Sequence, residues 1–419
     1  MDKEERMADG LTVNGSFGRR FLTFIAGAGM AAASLLTIQH FYNANFPASI
    51  YNGSFCDINT FFNCNSSAFS RIAQIQGVPM GWPGLFLGIL VCLGALFPSK
   101  AFEKTLKALT LLNALGVIAL FVYSVFFLKS LCLLCTGYYL FSLLAVFLFW
   151  RYGLKGLPFP SFKQIVVFAV LFLAGAYGFH LYYKAEQDAQ LGGVAARVVK
   201  EYYSLEKAPN PSFISPFMIA QSTDRFEDAP IRVIEYADFL CPDCLFMYEQ
   251  LNRLKTEFAG KINIAFQFFP LDKCNEVVAQ KSNRHPGACD LSYIAAQDPA
   301  KFASIYDEIF THFQEAKDPQ WRADLTKKYG VEAALTDPNT KDLVHRIIAT
   351  GAEYEKTSDQ FAHGIRSTPT LIVNNRMIIG TLPYPQLKAI FESLVAEGAK
   401  TGDKRFLENW VEFQPPKKK

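Results

Sequence analysis

The chain lacks an excess of charge of either sign. Its 41 Lys and Arg face 38 Asp and Glu, a formal net charge of only +3 over 419 residues. That balance argues against nucleic acid as a partner. It shows no internal repeats, and its single low-complexity stretch is the Lys417 to Lys419 tail. What charge there is lies mostly beyond residue 183, whereas apolar runs crowd the residues before it. A chain of this length is expected to hold two or three domains.

Five charge-poor runs have the length needed to cross roughly 30 Å of hydrocarbon, which takes about 20 apolar residues. They are Phe21 to Phe41, Gly81 to Phe97, Leu106 to Leu128, Leu131 to Trp150 and Ile165 to Tyr183, the second being the shortest. The first follows a charged leader of about 20 residues, longer than the basic region of a cleavable signal, and reads as an anchor. Basic residues set the orientation. Arg19 and Arg20, then Lys100, Lys104 and Lys107, then Arg151, Lys155 and Lys163 fall on one side, the cytoplasmic one. The loop from Tyr42 to Met80 has Arg71 as its one basic residue and lies opposite, as does everything after Tyr183. The soluble half is therefore expected in an oxidising compartment.

That half opens with a stretch that can continue as a helix and ends, at "APNPS", as a linker. A β-rich run leads into "CPDC" and a periodic helix; a second strand, a long helical insert, two short strands around "NN" and an amphipathic helix follow. This is an α/β order. A cysteine at a helix N-terminus faces unsatisfied N–H groups and the positive end of the dipole, where a thiolate is favoured. Cys241 has that place, and Cys244, one turn inside, is the expected resolving thiol. The sequence has no second ligand pair at metal-like spacing nearby, so redox chemistry outweighs a structural disulfide or half a zinc site. Cys274 and Cys289 flank polar turn residues in "LDKCNEVVAQKSNRHPGACD" and read as a structural disulfide, worth about 3 kcal/mol by loop entropy. His285 between them is too weak a signal for a metal, and no metal is expected.

"CPDC" between strand and helix, with "TPT" ahead of a late hairpin, resembles the thioredoxin fold, nearest its DsbA-like branch, over about Ala229 to Gly398. The resemblance implies that Pro369 is cis and lies against Cys241, with Thr368 and Pro369 forming the substrate loop. Asp243 stands where strong oxidants of that branch carry His, and a carboxylate there implies weaker oxidising power.

The remaining cysteines lie in the apolar half. Cys92, alone in the second run, reads as a small hydrophobe. Cys56 and Cys64 flank "DINTFFN" in the first outside loop, and Cys132 and Cys135 begin the fourth run on the same side. On a helix, positions 132, 135 and 139 share a face, which places Tyr139 one step further in. Its phenol either belongs to an interfacial aromatic belt or donates to a quinone carbonyl. The segment "MGWPGLF" has no polar side chain to assign to such a ligand.

Four runs, "CDINTFFNC", "SRIAQIQGVP" and "CLLCTGYY" resemble the vitamin K epoxide reductase family over roughly Arg20 to Trp150, and a fifth run followed by a thioredoxin-like domain is the layout of its fused bacterial members. Ser70 falls where bacterial members tend to keep a serine. The resemblance implies that Cys135 faces a quinone of the ubiquinone or menaquinone type, that Cys132 exchanges with Cys64, and that Cys56 exchanges with Cys241.

The expected fold is thus an all-α membrane bundle, a four-helix catalytic core plus a fifth span, followed by an α/β thioredoxin-fold domain with a helical insertion. The expected segments are a cytoplasmic leader (1–20), the four-span domain (21–150), the fifth span (151–183), a linker (184–228), the thioredoxin-like domain (229–400) and a tail (401–419). The expected activity is a bacterial inner-membrane oxidase that forms disulfides in reduced secreted or periplasmic proteins and passes the electrons to the quinone pool. Three other readings remain: a quinone or vitamin K epoxide reductase supplied by the fused domain, a disulfide reductase or isomerase relay, and a tethered chaperone with static cysteines.

Overall fold

The computed structural model describes residues 17–50, 56, 58–156, 159–278, 283–355 and 364–401. The leader before residue 17 and the tail beyond residue 401 lie outside them. The chain divides into two compact units: one of Met1–Asn45 with Phe61–Gln187, the other of Phe46–Thr60 with Asp188–Lys419.

The first unit is helical. Helix α1 (Phe17–Asn45) is followed by a short helix α2 (Asn65–Ala68) and a hairpin of β1 (Gln74–Ile75) and β2 (Val78–Pro79). Gln76 and Gly77 form its turn, both at positive φ, as a tight two-residue hairpin requires. Then come α3 (Gly81–Leu96), α4 (Lys100–Val122), α5 (Leu133–Tyr152) and α6 (Phe162–Leu191). Among the described residues, four helices are long and apolar enough to cross a membrane: α1, α4 with the π turn that continues it to Phe127, α5 and α6. Helix α3 is apolar but has only 16 residues, about 24 Å at 1.5 Å per residue and short of a full hydrocarbon core. Five apolar runs thus become four long helices and one shorter one.

Small residues let α1 and α3 approach closely, as membrane helices do in the absence of a hydrophobic drive. A Cβ on Gly88 would sit 2.6 Å from the Ala31 nitrogen, and one on Gly27 would sit 2.8 Å from the Cys92 nitrogen. Cys92 fits there as a small residue, its Sγ 3.6 Å from the Phe24 carbonyl. Met30, Leu87, Val91, Ala145 and Phe149 fill the space between α1, α3 and α5. Many large side chains of α6 point outward, among them Val167, Val170, Leu171 and Leu173. Trp82 of α3 packs on Phe172 and Phe179, its indole N–H donating to the Phe172 carbonyl.

The second unit is built on a five-stranded sheet of order β3-β5-β4-β6-β7. Strands β4 (Ile231–Ala237) and β5 (Ile262–Phe268) run parallel, with β3 (Met218–Ala220), β6 (Thr370–Val373) and β7 (Arg376–Ile379) antiparallel to their neighbours. All seven residues of β4 are buried, as expected of a central strand covered on both faces. Between β4 and β5 lies α8 (Pro242–Glu257); the insert comprises α9 (Ala288–Ala296), α10 (Phe302–Thr311), α11 (Pro319–Tyr329) and α12 (Pro338–Ala349); α13 (Tyr384–Thr401) closes the order. Asn374 and Asn375, both at positive φ, turn the β6–β7 hairpin. The stretch read as a linker differs from expectation. It contains helix α7 (Gly193–Ser204) and edge strand β3, and α7 buries Ala195, Val198 and Tyr202, one apolar face at helical spacing.

Candidate functional site

Two groups of cysteines are assembled, one in each unit. In the first unit, Phe61–Asn63 pairs with Leu131. The Asn63 N–H donates to the Leu131 carbonyl at 3.2 Å, the Leu131 N–H donates back to Phe61, and Phe62 forms a parallel bridge to Leu131. This short pairing sets Cys64, just before α2, beside Cys132, just before α5. Their sulfurs are 3.3 Å apart. Cys132 is the N-cap of α5, with extended backbone, and its Sγ accepts the Cys135 N–H at 3.3 Å. Cys135 is a free thiol, whereas Cys64 is disulfide-bonded, as is Cys56.

Cys64, Cys132, Cys135 and Tyr139 line one cleft, with Thr37, His40, Ser67, Ser70 and Ser124 as further polar groups. Its apolar walls include Phe41, Ile72, Pro79, Leu120 and Leu128. Helical spacing thus puts Cys132, Cys135 and Tyr139 on one face, and that face borders the cleft. Ser124 and Thr37 line the cleft together with Tyr139 and Cys135, and the Thr37 hydroxyl donates to the Ala33 carbonyl at 2.8 Å. Met80 and Gly81 of "MGWPGLF" also reach the cleft, whereas the Trp82 indole turns to α6. An apolar slot with a few hydroxyls, an imidazole and a thiol suits a flat apolar ring bearing carbonyl oxygens.

Basic side chains gather at the other end of this unit. Arg19 pairs with Glu103 at 2.6 Å, Arg20 donates to the carbonyls of Ala95 and Leu96, and Lys107 donates to those of Leu154 and Gly156. These partners belong to the α1 and α4 starts and the α3 and α5 ends, opposite the cysteines.

In the second unit, Cys241 is the N-cap of α8 and Pro242 takes the first helical position, where its missing N–H costs nothing. Both cysteines are buried free thiols. Cys241 donates to the Thr368 carbonyl at 3.4 Å, and the Thr368–Pro369 bond is cis. Cys244 accepts the Asp238 N–H at 3.4 Å. Burial pushes the Cys244 thiol well above its usual value, and the adjoining Cys241 adds to the effect. A thiol held neutral there is a resolving group rather than the first nucleophile.

Two features beneath this turn escape a reading of the sequence. Glu235, within β4, is 1% exposed, and burial alone raises its carboxyl to about 8. Asp238, three residues before Cys241, accepts the Leu240 and Leu271 N–H groups at 2.6 Å each and His285 Nδ1 at 2.8 Å. His285 thus braces the active turn. The signal for Glu235 was an acidic residue inside an otherwise apolar strand; the partner of Asp238 had no local signal. Cys274 and Cys289 are disulfide-bonded, with Cα atoms 6.0 Å apart.

Comparison with known proteins covers both units. Residues 20–150 match the vitamin K epoxide reductase family, and residues 226–393 match a thioredoxin family. "Disulfide bond formation protein D" of Bacillus subtilis is 25% identical over 173 residues, 40% of this chain and 73% of that protein. "Na(+)/H(+) antiporter NhaA 1" of Mycolicibacterium gilvum is 28% identical over 153 residues, 36% of this chain and 22% of the antiporter. Among solved structures, a periplasmic thioredoxin-like protein from Salmonella enterica serovar Typhimurium aligns at 13% identity and a TM-score of 0.33, covering 44% of this chain and 94% of that one. A thioredoxin-like oxidoreductase from Silicibacter pomeroyi aligns at 13% and 0.32, covering 42% and 90%.

Proposed function

Because the chain joins a vitamin K epoxide reductase-family domain to a thioredoxin-fold domain, we propose that it is a membrane thiol oxidoreductase that forms disulfide bonds in secreted proteins and reduces quinone. The observation that carries this reading is the 3.3 Å separation of the Cys64 and Cys132 sulfurs, with Cys135 one turn further along the same cleft.

Every step but the last is a thiol–disulfide exchange. A substrate thiolate attacks Cys241 of the oxidised Cys241–Cys244 pair and Cys244 leaves; the second substrate thiol then releases Cys241, and the substrate is oxidised by two electrons. Cys241 attacks Cys56, Cys64 leaves as thiolate, and Cys244 then attacks Cys241 to free Cys56 and restore the Cys241–Cys244 disulfide. Cys64 attacks Cys132 of the oxidised Cys132–Cys135 pair, Cys135 leaves as thiolate, and Cys56 then attacks Cys64, which restores the Cys56–Cys64 disulfide and leaves Cys132–Cys135 as a dithiol. The Cys132–Cys135 dithiol then reforms its disulfide, giving two electrons and two protons to the quinone, which leaves as hydroquinone. Tyr139, Thr37 and His40 line the cleft and in this reading orient the quinone ring, which the apolar walls shield from water. Tethering keeps the thioredoxin-like domain at about millimolar effective concentration. The basic end of the first unit faces the cytoplasm in this reading, and the cysteine end faces the oxidising side.

The test is anaerobic: purified chain, a reduced dithiol peptide and a soluble quinone, with quinone absorbance followed in time. Turnover that disappears in both Cys241→Ala and Cys135→Ala is expected. Quinone reduction unchanged in Cys135→Ala overturns the electron path.

A further inference from the structure

Buried hydroxyls flank the place where Cys64 and Cys132 meet. Ser67 Oγ and Ser130 Oγ are both enclosed, and neither has a hydrogen-bond partner among the described residues. Ser130 is 0% exposed, and Ser67 lines the cleft shared by Cys64, Cys132 and Cys135. Their backbones are satisfied: the Ser67 N–H donates to the Cys64 carbonyl at 3.1 Å, and the Ser130 N–H to the Ser124 carbonyl at 3.0 Å. The Ser70 hydroxyl, by contrast, is engaged, donating to the Ser67 carbonyl at 2.8 Å. A buried hydroxyl without a partner costs stability, so its retention asks for an explanation. Backbone geometry supplies one. Cys64, in helical conformation, caps α2, and Ser67 lies three positions on, on the same face. Leu131 forms a β-bridge and Cys132 is extended, so Ser130 and Cys132, two positions apart, share one side. With the two sulfurs 3.3 Å apart, one hydroxyl thus accompanies each. Ser66 Oγ is a third unpartnered hydroxyl, but two positions from Cys64 it falls on the other side of the helix.

From this arrangement we propose that Ser67 and Ser130 are hydrogen-bond donors held ready for sulfur anions, Ser67 for Cys64 and Ser130 for Cys132. A neutral sulfur is a weak acceptor, whereas a thiolate is charged and accepts strongly. Hydroxyls that gain a bond only when charge appears stabilise the charged states of an exchange and leave its resting state alone. The inference rests on the relay proposed above and assigns a donor to two of its thiolates. Cys64 first appears as a departing thiolate, and Ser67 donates to it. Cys64 then attacks Cys132, the Cys132–Cys135 bond breaks, and Cys135 keeps the electron pair. When the Cys64–Cys132 bond is broken in turn, Cys132 leaves as thiolate and Ser130 donates to it. Neither serine gives up its proton, and the two electrons cross without any added reactant.

The experiment uses the full chain with Cys56→Ala and Cys135→Ala, reduced with a phosphine that is then removed under argon. Iodoacetamide labelling of Cys64 and Cys132 is followed against pH by peptide mapping, which reads the thiolate form of each. Ser67→Ala should raise the labelling midpoint of Cys64, and Ser130→Ala that of Cys132, each by about one pH unit, or about tenfold in thiolate. Ser67→Thr and Ser130→Thr keep a hydroxyl and should return the midpoints to the parent value. Ser66→Ala removes a hydroxyl from the other side and should move neither. Because the lost hydroxyls had no partner, the thermal midpoints of the alanine variants should not fall. Labelling midpoints unchanged in both alanine variants overturn the donor role and leave the relay standing. An equal shift in Ser66→Ala overturns the placement. Failure of the relay is read separately, as quinone turnover that survives Cys135→Ala.

Discussion

Cys64 and Cys132 are 68 positions apart in sequence, yet their sulfurs are 3.3 Å apart, held by a pairing of Phe61–Asn63 with Leu131. One sulfur belongs to a disulfide and the other is a thiol that also caps a helix. That geometry favours exchange over a static staple.

A trapping variant follows from it. With Cys56→Ala and Cys135→Ala together, Cys64 and Cys132 lose their other partners. They should then form a mutual disulfide under mild oxidation, seen by peptide mapping without reductant. Two free thiols after oxidation would contradict the contact.

Glu235 makes stability depend on pH. Its carboxyl is raised from 4.5 to about 8 by burial. The folded chain therefore holds a proton that the unfolded chain has released. The favourable contribution is present below about 4.5 and is lost as pH rises toward 8. Glu235→Gln has no proton to lose and should flatten the fall in unfolding midpoint across that window. At pH 8 it should gain on the order of a few kcal/mol relative to the parent. Parallel pH profiles for the two proteins would show that Glu235 is ionised in the fold.

Asp238→Ala strands three donors at once: the Leu240 and Leu271 N–H groups and His285. Leaving a buried donor without its acceptor costs about 1–3 kcal/mol each, so the loss is measurable by denaturant unfolding. His285→Gln, which keeps a donor, should cost about 1–2 kcal/mol. Equal costs for the two would mean that the carboxylate does not organise the turn.

Gly88→Val tests the helix approach in the first unit. A Cβ there would meet backbone of α1 at 2.6 Å, so the helices must separate. The thermal midpoint of the chain should fall by several degrees, consistent with about 1–3 kcal/mol of overpacking. Quinone turnover should fall with it, because α1 and α3 both border the cleft. A Cys92→Ala control, at a small packing position on the same helix, should leave turnover near the parent level.

Much of this was legible from local rules. Pro242 after Cys241 marks a helix start, and two asparagines between short apolar runs mark a hairpin; both need only neighbours a few residues away. The face shared by Cys132, Cys135 and Tyr139 follows from 3.6 residues per turn. Apolar length announced the membrane helices, although the shortest run falls below a full span as a helix of 16 residues.

The rest required the chain to close on itself. The amphipathic pattern of α7 was present in a stretch that its Pro-rich end made look like a linker, and only the core beneath Val198 and Tyr202 shows it to be packed. Glu235 sits in a strand whose other residues announce burial, so its raised pKa depends on the layers on both faces of the sheet. The union of Asp238 with His285, and of Gln190 with Gln386 at Pro47, spans separations of 47 to 339 residues. The sequence by itself determined which residues carry thiol chemistry and which segments are helix, strand or turn, because those depend on backbone geometry and near neighbours. Tertiary structure alone decided which sulfur meets which, and which buried polar group meets its partner, because such contacts form only when loop closure and core packing bring distant segments together.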